Sequence, residues 1–159
     1  MTDPKRELLR HTVATLGYRA GKAMRGATAA FAAFRAAEGT RTPAEILAHV
    51  GDLLDWALEL VQGRHTWKDS APLPWEREVA RFFEALAKLD AYLASAAPLA
   101  SPVERLFQGP IADALTHVGQ LAMLRRLAGA PIKGENYFKA DIVAGRFGWD
   151  RPAPRLEFD

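Results

Sequence analysis

Four stretches of this chain repeat apolar residues in steps of three and four, and that spacing constrains the fold more than any other feature. An α-helix advances 100° per residue, so such steps return side chains to one face. In the first stretch Leu9, Val13, Leu16, Ala20, Ala23, Ala27, Phe31 and Phe34 predict the seam of a helix over 5–37. The second covers 43–62 with Ile46, Val50, Leu53, Ala57, Leu60 and Val61, and the third covers 74–95 with Val79, Phe82, Phe83, Leu86, Leu89 and Leu93. The fourth, over 110–128, carries Ile111, Ala114, Leu115, Val118, Leu121, Ala122 and Leu124. No strand alternation competes with these stripes. The expected fold is an all-α four-helix bundle without sheet, one domain over 1–159 with a short C-terminal extension whose proline-bearing tail starts at Arg151.

Local chemistry marks the boundaries. Thr42-Pro43-Ala44-Glu45 has the form of a capping box with proline at the first helical position, and Gly63 suits the stop. Ser101-Pro102-Val103-Glu104 predicts a second capping box opening a short turn through Phe107, and Gly109-Pro110 predicts a break before the fourth helix. Arg125 and Arg126 fall in that helix's last turn, where cations suit the macrodipole, ahead of Gly129. The aperiodic link over 64–73 is long enough to cross an end of the bundle, so the helices it joins need not be neighbours. Tyr18, Arg19 and Lys22 lie off the first seam and read as a solvated face. Gly17, Gly21 and Gly26 each cost about 1 kcal/mol relative to alanine unless a close neighbour compensates, which favours a homodimer packed on that helix.

Composition narrows the class. The formal charge of +2 comes from 21 Lys and Arg interspersed with 19 Asp and Glu, so no basic footprint for nucleic acid stands out. No apolar run approaches the ~18 residues of a membrane span, and the N-terminal stretch contains acidic residues and leads into no signal-like block, so a cytoplasmic location is expected. With no cysteine, a metal must be held by His, Asp, Glu, Asn or Gln.

The chemistry-bearing residues sit on the second and fourth helices. Asp113 and His117 are one turn apart on a mostly apolar helix, and residues so spaced stand roughly 5–6 Å apart at Cβ. A carboxylate buried there needs a partner. A metal ion is one; a salt bridge or a Tyr, Arg or Lys from another helix is another. His49 lies at the edge of the second stripe, with Glu45 one turn before it and Asp52 and Trp56 after it. A hydrogen-bonded core histidine is the ordinary reading of such a position. Taken together, His49, Asp113 and His117 form a candidate ligand set for Zn, Ni, Fe(II) or Mn with open positions left over.

Two segments resemble the DinB/YfiT-like proteins. Thr42-Pro-Ala-Glu-Ile-Leu-Ala-His49, followed by Leu-Leu-Asp-Trp56, is similar to that family's second helix with its single metal-binding histidine. His117-Val-Gly-Gln-Leu-Ala-Met-Leu-Arg-Arg-Leu-Ala-Gly129 is similar to the end of its fourth helix. The family usually carries two histidines four apart there, and Asp113 stands at the first of those positions. The resemblance implies an up-down-down-up helix order, frequent dimers, and a metal-dependent hydrolase or a transferase using a low-molecular-weight thiol on a small-molecule substrate. Glu45 or Asp52 would then carry a proton or support a ligating imidazole. The alternative is a non-catalytic bundle that binds a small ligand or its own copy and has lost the metal.

Overall fold

Asp3 opens the first helix by accepting the Lys5 amide at 3.0 Å, and Pro4 takes the first helical position. In the computed structural model, which describes residues 3–149 and 152–159, this helix, α1, spans Pro4–Met24. It ends well before residue 37. Gly26 adopts φ +69°, a left-handed conformation that reverses the chain, and Thr28 caps a separate turn, α2 (Ala29–Ala32), by accepting from the Phe31 amide. Phe31 still reaches the core, edge-on to Trp75 at 5.7 Å. The apolar spacing therefore continued although the helix did not.

Helix α3 (Pro43–Val61) starts with both reciprocal capping bonds, Glu45 N–H to Thr42 Oγ1 at 3.2 Å and Thr42 N–H to Glu45 Oε2 at 2.6 Å. Helix α4 spans Trp75–Ala94. The expected break at Gly109-Pro110 is absent. Helix α5 (Val103–Leu106) runs through a π-turn over Phe107–Ile111 into α6 (Ala112–Leu127). The wider π-turn accommodates a proline that has no N–H to give and whose ring would crowd an α-helical carbonyl. Ser101 makes no capping bond; its hydroxyl donates to the Leu60 carbonyl at 2.9 Å, and Pro102 stands at the cap.

The four long helices pack pairwise, α1 and α3 each touching both α4 and α6. The link over 64–73 thus joins neighbours. Val13 and Leu16 of α1, Leu47 and Leu54 of α3, Phe82 and Leu86 of α4 and Leu121 of α6 are fully buried at the centre. Gly17 permits a close approach inside the chain: a Cβ there would stand 3.0 Å from Leu86 Cδ1. Arg125, buried rather than free at its helix end, donates through Nη1 to the Ala23 and Arg25 carbonyls at 3.2 and 3.0 Å and so satisfies the end of α1. No helix among the described residues is long and apolar enough to cross a membrane.

After α6 a two-residue antiparallel ladder corrects the sheet-free expectation. Strand β1 (Gly134–Glu135) pairs with β2 (Glu157–Phe158), Gly134 opposite Phe158. The Phe158 ring lies where a Cβ on Gly134 would be, at 2.5 Å, so a larger residue there would have to displace that ring. The tail's expected start, Arg151, lies outside the described residues. Tyr18 and Lys22 are not solvated. Tyr18 donates to Glu135 Oε1 at 2.5 Å, and the Lys22 ammonium bridges Glu135 at 3.1 Å and Glu157 at 2.7 Å. Arg19 is exposed, as expected, and lies over the Tyr137 ring at 3.9 Å.

This cluster generates a stability prediction. Replacing Lys22 with methionine leaves the fully buried Glu135 carboxylate without its cation and should destabilise the fold by ~3–5 kcal/mol in urea denaturation. Burial pushes the Lys22 pKa down, but hydrogen bonds to Glu157 and Glu135 outweigh it and leave the pKa raised. The ammonium's contribution is therefore full below the unfolded lysine value of about 10.4 and is lost as pH rises through the folded value. Lys22→Met should flatten that alkaline decline.

Candidate metal centre

Packing of α3 against α6 brings His49 and His117 face to face, with ring centroids 4.7 Å apart and planes inclined by 33°. Both rings are largely buried. Asp113, one turn before His117, is about half exposed, with a side-chain accessibility of 47%, so it sits at the rim and not within the apolar face. His49 Nε2 is 3.7 Å from Asp113 Oδ2, and His117 Nδ1 is 3.6 Å from Asp113 Oδ1. Both separations exceed a hydrogen bond. The Nδ1 atoms of His49 and His117 are buried with no hydrogen-bond partner.

Two orphaned imidazole nitrogens in one place are uncommon, because an unsatisfied buried polar atom costs about 1–3 kcal/mol. One donor atom from each of the three residues lies within 4.8 Å of the other two, and this is the one such group of His and acidic residues found among the described residues. Ligands at about 2.0–2.1 Å from one ion stand roughly 3–4 Å apart. The 3.6 and 3.7 Å separations have that size. The three residues could therefore hold a divalent cation. Burial pushes the His117 pKa down; Asp113 opposes this, while His49 and Arg41 add to it, leaving the imidazole neutral near pH 7, the form that ligates.

The two other carboxylates singled out in the sequence are engaged elsewhere. Glu45 accepts the Thr42 amide at its helix cap and faces Arg35, and the Thr42 hydrogen bond foremost holds its pKa below the usual carboxylate range. Asp52 is buried, accepting the Ser70 amide at 2.8 Å, the Ser70 hydroxyl at 2.7 Å, and Arg81. Neither supports a ligating imidazole, since His49 Nδ1 has no partner. The remaining histidines, His11 and His65, are exposed and apart from the group.

Trp67 was not legible as a site residue. It comes from the aperiodic link, packs edge-on to His49 at 5.7 Å and meets Trp56 at 5.8 Å. A tryptophan among polar loop residues was the available signal, since so large a ring seldom lies free in water. Two clefts flank the histidines. On the His49 side a polar cavity of about 300 Å³ is lined by Arg35, Arg41, Asp52, Asp69 and Ser70, and on the His117 side one of about 480 Å³ is lined by Ile46, Gln120, Met123, Leu124 and Arg41. Clefts of about 490 and 500 Å³ beside Trp149 and Phe107 contain no histidine. No protein-family profile, curated protein or solved structure matches this chain.

Proposed function

We propose that this chain is a metal-dependent enzyme of the DinB/YfiT-like type, a four-helix bundle in which His49, Asp113 and His117 hold one Zn, Ni, Fe(II) or Mn ion. Its reaction is hydrolysis of a small molecule or transfer using a low-molecular-weight thiol. The observation that carries this reading is the pair of buried imidazoles, each with an unpartnered Nδ1, beside one carboxylate. A histidine kept only for packing finds a hydrogen bond. A cation among His49 Nε2, His117 Nδ1 and the Asp113 carboxylate would give the His117 nitrogen its partner.

The chemistry such an ion supplies is to lower the pKa of a water or thiol in its open position, giving a nucleophile near neutral pH. The chain's own part is to keep His117 neutral by burial, to present Asp113 from the rim, and to cover His49 with Trp67. With no cysteine in the sequence, a thiol would have to come from the co-substrate. The up-down-down-up helix order and a homodimer belong to the same proposal.

Isothermal titration of tag-free protein with zinc or manganese should give one ion per chain, and His117→Ala or His49→Ala should abolish it with the helical circular dichroism intact. A wild-type chain that takes up neither ion would reject the reading in favour of a non-catalytic bundle. A second prediction follows from the orphaned nitrogens. In metal-free protein His117→Leu should stabilise the fold by about 1–2 kcal/mol, because it removes an unsatisfied buried group. Zinc at 100 times its Kd should reverse the order by adding ~2.7 kcal/mol to the wild type alone.

A further inference from the structure

Arg41 lies where the two cavities flanking the histidines meet, and it lines both. On the His117 side the walls at Ile46, Met123 and Leu124 are apolar, Gln120 is neutral, and Arg41 is the one fixed charge, with no acid facing it. Its neighbour Arg35 is already committed, to the Thr40 carbonyl and to Glu45. Arg41 enters no hydrogen bond or ion pair among the described residues. A guanidinium left without a partner at the edge of an apolar cleft is a fork suited to two parallel bonds with a carboxylate.

We propose that the cavity beside His117 receives a small monocarboxylate with an apolar body, Arg41 pairing its carboxylate while Ile46, Met123 and Leu124 cover the rest. The match is one of charge and polarity together. A cation would meet Arg41 unfavourably. A phosphate would leave oxygens unpaired against apolar walls, since a single guanidinium borders them. The inference deepens the metal-centre reading and rests on it for what happens to the molecule once it lies against His117, but the binding step depends on Arg41 and not on an ion.

The test is made on the metal-free full chain, so that a carboxylate cannot bind by coordinating an ion. Octanoate is titrated by calorimetry, with octan-1-ol as the uncharged probe, against wild type, Arg41→Gln, Arg41→Lys and Met123→Asn. Arg41 and Met123 are exposed, so these variants should fold, as thermal melts will verify. Octanoate should bind more tightly than octan-1-ol, Arg41→Gln should weaken octanoate alone by about 10- to 100-fold, Arg41→Lys should fall between, and Met123→Asn should weaken both. Equal binding of octanoate to wild type and Arg41→Gln, or no preference for octanoate over the alcohol, would overturn the inference. A parallel zinc titration separates the two readings. Arg41-dependent octanoate binding in a chain that takes no zinc would uphold this inference and end the metal reading; zinc uptake with Arg41-independent octanoate binding would do the reverse.

Discussion

The contact between α3 and α6 is the constraint on which the candidate site depends. It buries two imidazoles together, with ring centroids 4.7 Å apart and the Nδ1 of each without a hydrogen-bond partner. Helix–helix packing is driven by apolar area, and the polar pair is carried into the interface by the burial of neighbours such as Leu121. The unfavourable polar contact and the favourable apolar one are inseparable, because His117 lies between Ala114 and Leu121, both fully buried on the same helix face.

Around that contact the chain is fixed by charges whose purpose is structural. Arg81 of α4 reaches Asp52 and Asp55 of α3, and Asp52 in turn holds Ser70 of the connecting loop. Gly51 makes room for the guanidinium: a Cβ there would stand 3.0 Å from Arg81. With Ser70 anchored, the preceding loop passes over His49 and sets Trp67 against it. Asp52 thus acts on the site at a distance, through the loop and not through a hydrogen bond to histidine.

The same logic operates at the C-terminal segment. Glu135 and Glu157 stand opposite each other in the short ladder, and two carboxylates so paired repel unless a cation lies between them. Lys22 of α1 is that cation, and Tyr18 adds a further bond. Two strands of two residues would not persist alone. They are held because α1 brings its polar pair to meet them.

The sequence by itself determined the helices whose signals are local. Thr42 to Glu45 specified the start of α3 because a capping box closes within four residues, and the apolar spacing specified the extent of α4 and the end of α6. It also singled out His49, Asp113 and His117, since the spacing of the last two on a helix fixes their proximity, while His49 rested on a family resemblance. Only the tertiary structure decided the rest. The end of α1 depended on whether Gly26 turned left-handed, and apolar spacing read the same on either side of it. Gly109-Pro110 read as a break because a π-turn leaves no periodic trace. Whether Tyr18 and Lys22 faced water or a carboxylate more than a hundred residues away, and whether Arg41 found a partner, are properties of contacts between distant segments, which no local pattern encodes.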